Sequence, residues 1–178
     1  IAELIEYRSR NESLVQRTSE RDITTPWGAF RLVAYRDLAL GSIHLALVLG
    51  TPGAQDETLV RVHEPLSVMD LIDAGSSSHS WGIGEALEAI RRSGCGVAVL
   101  LNCTQSAEAL EARITEADAR RGVSRSFDLR VYGIGAQILR DLGVRRMRLM
   151  AAPRKMPSMA GFGLEVTGHL GQGESAGR

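Results

Sequence analysis

In this chain of 178 residues, 21 Lys and Arg balance 21 Asp and Glu, so overall charge gives no reason to expect nucleic acid or an acidic membrane as a partner. The length suits one domain that buries about 70% of its unfolded surface without disulfide staples. No stretch approaches the roughly 20 apolar residues of a membrane span and no charged-then-apolar leader is present, so the expectation is a soluble, unsecreted, cytoplasmic chain.

The opening segment Ile1-Ala2-Glu3-Leu4-Ile5-Glu6-Tyr7-Arg8 has apolar positions that fit one short helical face and no initiator methionine. Residues 1–14 are expected to form a connector helix cut from something longer. Apolar and β-branched runs at Phe30 to Tyr35, Ile43 to Leu49 and Leu59 to Val62, parted by Gly41 and Gly50-Thr51-Pro52-Gly53, read as strands of one sheet. From Trp81 the period changes. Ile83, Leu87 and Ile90 share a helical face, Ser80 is the expected N-cap, and Arg91-Arg92 before Gly94 form a stop signal. Gly96 to Leu101 reads as a buried strand, with Cys95 and Cys103 beside it as reduced thiols.

A helix is expected from Ser106 to Arg121, with Ala107, Leu110, Ile114 and Ala117 on one face. Another is expected from Asp128 to Leu142, capped by Ser126, its Leu129, Tyr132, Ala136 and Leu139 forming a stripe beside Ile134 and Ile138. Gly133 and Gly135 weaken that helix by roughly 1 kcal/mol each relative to Ala, which points to another backbone approaching closely there. Strands at Met147 to Ala151 and Gly163 to Val166 complete an alternation that argues an α/β fold, a mixed sheet with flanking helices. One domain over residues 15–170 follows, with a mobile tail over 171–178.

The run Arg61-Val62-His63-Glu64-Pro65-Leu66, continued by Ser76-Ser77-Ser78-His79-Ser80-Trp81-Gly82, keeps a recognisable frame. It resembles the zinc motif of GTP cyclohydrolase II of riboflavin biosynthesis, in which Arg-Val-His-Ser-Glu-Cys is followed after roughly ten residues by Cys-x-Cys-Gly and a helix. Thr25-Pro26-Trp27-Gly28-Ala29-Phe30 with Tyr35-Arg36, Tyr132-Gly133-Ile134-Gly135-Ala136-Gln137 to Val144, Met147-Arg148-Leu149, Pro153-Arg154-Lys155 and Gly161-Phe162-Gly163-Leu164-Glu165-Val166 follow in that family's order. No piece is specific alone, but the ordered set over about 150 residues is.

The resemblance implies a GTP cyclohydrolase II-like fold, built in that family for a zinc-bound water that opens the guanine ring and expels formate. Aligned without a gap, the three cysteine positions are Leu66, Ser77 and His79. Leucine offers no donor and a serine hydroxyl is a poor zinc ligand, so the expectation is no catalytic residue, no metal and no cofactor. The family's loop after the strand ending at Leu101 is missing, and its Thr-Asn-Asn-Pro is replaced by Ala151-Ala152-Pro153. Arg61 and Lys155 alone stand where the family contacts substrate and are the candidate substrate-binding residues.

The opening segment resembles the connector that joins 3,4-dihydroxy-2-butanone 4-phosphate synthase to GTP cyclohydrolase II in fused riboflavin proteins. The expected partners are therefore an upstream synthase domain of the same chain and a second copy in a homodimer, with no nucleic acid and no membrane. The expected function is a catalytically inactive domain with an assembly, stabilising or regulatory role. The alternative is a module binding a nucleotide or flavin-related molecule, and an active cyclohydrolase ranks last. His63 and His79, with Asp70, Asp73 and Cys103, invite a metal reading, but their spacing and the serine run around His79, which resembles a solvated loop, argue against it. Ser77 or Ser78 beside His79 lacks the Gly-x-Ser-x-Gly elbow of a nucleophile.

Overall fold

The computed structural model describes residue 7 and residues 11–64, 67–73, 79–101, 106–115, 129–153 and 159–173. Its strands are β1 (Val15–Thr25), β2 (Gly28–Asp37), β3 (Ile43–Leu49), β4 (Glu57–His63), β5 (Gly96–Leu100), β6 (Arg146–Met150) and β7 (Glu165–Leu170). They pair into one sheet in the order β1-β2-β3-β5-β4-β6-β7. From β1 to β5 each neighbour is antiparallel, and β5, β4, β6 and β7 are parallel to one another. The helices are α1 (Met69–Ile72), α2 (Ile83–Ser93), α3 (Ala107–Ile114) and α4 (Leu129–Asp141), with a 3-10 turn at Met159–Phe162. This is the α/β architecture with a mixed sheet that the alternation of patterns implied.

β5 is buried along its whole length, because its two faces meet different helices. Val97 and Val99 pack in one core with Ile134, Ala136, Ile138 and Leu139 of α4. Ala98 and Leu100 pack in the other with Ile83, Ala86, Leu87 and Ile90 of α2. A strand covered on both faces has no polar side to show, hence its unbroken apolar run. Gly96 sits where β5 passes under α2. A Cβ there would lie 2.8 Å from the Leu59 carbonyl oxygen and 2.9 Å from both γ-carbons of Ile90. Gly96→Ala is therefore expected to cost about 2–3 kcal/mol of stability by overpacking, read from urea midpoints.

Gly135 behaves in the opposite way, and the expectation of a close backbone is corrected. A Cβ at this position meets only side-chain carbons, Leu101 Cδ1 at 3.6 Å and Val62 Cγ1 at 3.9 Å, which is ordinary packing distance. Gly135→Ala should stabilise α4 by about 0.5–1 kcal/mol.

Other boundaries differ for identifiable reasons. The N-cap of α2 is Gly82 rather than Ser80: Glu85 reaches back so that its Oε2 accepts the Gly82 N–H at 3.2 Å, and the left-handed Gly94 ends the helix as its stop signal implied. Ile114 of α3 is 58% exposed instead of core-facing, and α3 contributes to neither core among the described residues. Gly163 lies in a left-handed turn, which delays the last strand to Glu165 and lets it run to Leu170. Cys95 is a free thiol, half-buried rather than in the core. Cys103, Ser126, Asp128, residues 116–121, most of 1–14 and residues 174–178 lie outside the described residues. No helix among the described residues is long and apolar enough to cross a membrane.

The β2–β3 hairpin is tied to α4 by a buried charge. Asp37 is 1% exposed, its Oδ1 accepts the N–H groups of Ala39 and Leu40 at 2.8 and 2.9 Å, and it pairs with Arg130. Burial opposes its ionisation, but Arg130 and those two N–H groups outweigh it and hold the carboxyl at about 2. His44 stands 3.9 Å from Asp37 Oδ2, and its pKa is lowered chiefly by burial. A folded pKa below the ordinary aspartate value of about 3.9 stabilises above that pH, and the contribution disappears as pH falls from about 4 towards 2. Asp37→Asn should thus be less stable than the native chain on the order of 2 kcal/mol at neutral pH. The gap between their urea midpoints should close across that acid window.

Candidate functional site

Along β4 the side chains alternate, so Leu59, Arg61 and His63 share the face under α2. Arg61 is 5% exposed. Its Nη1 donates to the Met150 carbonyl at 2.9 Å and its Nη2 to the Trp81 carbonyl at 3.1 Å. Met150 ends the neighbouring strand and Trp81 leads into α2, whose approach is fixed again by Trp81 Nε1 donating to the Leu170 carbonyl at 2.9 Å. The residue predicted to meet substrate is thus built into the fold as a clamp between β4, β6 and the start of α2. Lys155, Leu66 and Ser77 lie outside the described residues.

His63 closes β4, and its carbonyl accepts the Leu101 N–H at 2.9 Å, continuing the parallel pairing with β5. Beyond it the chain folds back through α1, which carries Asp70 in its first turn. Ser67 orders the entry to α1 through two hydrogen bonds. The Ser67 N–H donates to Asp70 Oδ2 at 2.8 Å, and the Met69 N–H donates to Ser67 Oγ at 3.2 Å. One oxygen of the carboxylate is thereby fixed by the backbone.

Two imidazoles converge on that carboxylate. His63 Nε2 lies 3.1 Å from Oδ2 and His79 Nε2 lies 3.5 Å from Oδ1. The rings are 3.9 Å apart between centroids at 34°. Side-chain exposures of 0% for His63, 4% for Asp70 and 10% for His79 make this a closed cluster, so the picture of His79 in a solvated loop is corrected. The separation in sequence that argued against bringing these residues together is undone by α1, which returns the chain over the end of β4. Asp73, one residue past α1, is exposed. The Ser67-x-x-Asp70 spacing was the sequence signal that a carboxylate would be anchored here.

A family model described as GTP cyclohydrolase II matches residues 16–171. The chain belongs to the GTP cyclohydrolase II family. Within that family frame it is 47% identical over 168 residues to a protein of Neisseria meningitidis serogroup B named 3,4-dihydroxy-2-butanone 4-phosphate synthase, a match covering 94% of this chain and 46% of that protein. It is 39% identical over 178 residues to the riboflavin biosynthesis protein RibBA of Aquifex aeolicus, covering 93% of this chain and 44% of that one. Among solved structures, RibBX, a two domain 3,4-dihydroxy-2-butanone 4-phosphate synthase from A. baumannii, superposes with a TM-score of 0.63 at 34% identity, over 96% of this chain and 44% of that one. This GTP cyclohydrolase II-family chain spans less than half the length of these relatives.

Proposed function

We propose that this chain is a non-catalytic GTP cyclohydrolase II-family domain that assembles, stabilises or regulates an attached 3,4-dihydroxy-2-butanone 4-phosphate synthase within a cytoplasmic homodimer. The observation that carries the proposal is the set of residues at the family's three cysteine positions, Leu66, Ser77 and His79. They supply no thiolate, and the one imidazole among them is turned towards Asp70, so the donor set does not fit the zinc of the family. A zinc ion in that site would lower the pKa of its bound water from 15.7 to about 7, and no step of ring opening is assigned to this chain without it. The lost loop after Leu101 and the Ala151-Ala152 pair remove nucleotide contacts separately. The synthase names of the relatives, together with the share of their length that this chain spans, support an attached synthase half.

Two measurements test the reading. Formate release from GTP by the purified chain, supplied with zinc, should not exceed that of buffer. Deleting this segment from the full-length protein should lower the thermal stability, dimer content or turnover of the synthase half. Formate release with stoichiometric zinc, or a synthase indifferent to the deletion in all three respects, would overturn the proposal.

A further inference from the structure

We propose that His63, Asp70 and His79 form a site for one divalent transition-metal ion of the zinc class, which shares position 79 with the family's zinc motif but uses neither position 66 nor position 77. One ligand atom from each of the three residues lies within 4.8 Å of the others. An ion bound at about 2.0–2.1 Å in a tetrahedron sets its ligand atoms about 3.3–3.4 Å apart. His63 Nε2 to Oδ2 at 3.1 Å and His79 Nε2 to Oδ1 at 3.5 Å are of that size, one at each oxygen of the carboxylate. Both rings turn the same nitrogen to the same carboxylate although their faces are in contact at 3.9 Å, which is the convergence that a shared ion requires.

The chemistry of the donors agrees. Two imidazoles and a carboxylate suit zinc and its neighbours rather than calcium or magnesium, which prefer oxygen alone. Burying a carboxylate is costly unless its charge is met. Among the described residues, the ion-pair partners of Asp70 are His63 and His79. The carboxylate would supply the anionic ligand of such an ion. Asp70 is anchored by the Ser67 N–H and His63 by the sheet, so two of the three ligands are positioned by the fold itself, the support that metal ligands need from their surroundings. With side-chain exposures of 10% or less at all three residues, the site is shielded, and the fourth position of a tetrahedral ion falls to water or to a further residue. It would staple α1 and the start of the Trp81 segment to the end of β4.

Untagged protein is stripped with a chelator, reloaded with zinc chloride and dialysed exhaustively, and metal content is measured. One zinc per chain is expected. Cobalt(II) in its place should give the visible bands of tetrahedral coordination with no thiolate charge-transfer band. Loss of a second-shell partner alone costs a metal site 10–100-fold in affinity, so Asp70→Asn and His63→Gln should each weaken zinc binding by at least about 100-fold. Ser77→Ala and Cys95→Ser should leave it unchanged. Zinc should also raise the melting temperature of the native chain and not that of Asp70→Asn. Should Asp70→Asn fail to fold by circular dichroism, His79→Gln, at the most exposed of the three positions, provides the same reading. Zinc lost on dialysis, zinc retained by the ligand variants, or a cobalt spectrum showing thiolate would each overturn the site. None of these results alters GTP turnover, so failure here is distinguishable from failure of the non-catalytic reading.

Discussion

Arg61→Ala is expected to lower the stability of the fold by about 3–5 kcal/mol, through two buried carbonyls left without their donor and the cavity that opens. The guanidinium is 5% exposed and serves two carbonyls on different elements, Met150 at 2.9 Å and Trp81 at 3.1 Å. Truncation leaves both oxygens buried without this donor, at about 1–3 kcal/mol each, and opens a cavity where the stem lay. Arg61→Lys recovers little, because a compact ammonium cannot span two diverging acceptors as the planar fork does. Arg61→Met keeps most of the stem and isolates the hydrogen-bond part. Urea unfolding of the three variants measures the series. If Arg61→Ala cost less than about 1 kcal/mol while abolishing binding of GTP or pyrophosphate, the residue would be a ligand contact and not a clamp.

Placing cysteine at all three family positions, Leu66→Cys, Ser77→Cys and His79→Cys, is expected to give a thiolate-held zinc and still leave GTP turnover at least about a thousandfold below that of the family's enzymes. The connecting length matches the family motif, so the thiolates can converge. Nucleotide contacts are a separate deficiency. On the proposed reading, the family's loop is absent after Leu101 and Ala151-Ala152 stand before Pro153 in place of its polar Thr-Asn-Asn. Each charge-assisted hydrogen bond lost is worth roughly 1.5–3 kcal/mol, and two such losses at 1.36 kcal/mol per tenfold amount to about a thousandfold before misalignment is counted. Metal analysis and formate release check the two halves separately. Turnover near family rates would mean that the domain lacks only its ligands and that the nucleotide contacts survive elsewhere.

The α/β class, the five inner strands and the α2 and α4 helices were legible in the sequence because burial on both faces of β5 and on one face of each helix imposes its own period on the residues. Gly94 announced the end of α2 for the same local reason, since a left-handed turn favours glycine. The family frame was legible too, as an ordered series of short motifs. The roles of Arg61 and of the His63, Asp70 and His79 cluster were not. That Arg61 spans two carbonyls cannot be read along the chain, because Met150 and Trp81 stand 89 and 20 residues away from it. Asp70 stands seven residues beyond one histidine and nine before the other. No spacing rule joins them, because their meeting depends on the single turn of α1 that folds the chain back over the end of β4. Local periodicity follows from each residue's immediate neighbours and can be read along the chain, whereas convergence of side chains from three segments is a property of how those segments pack.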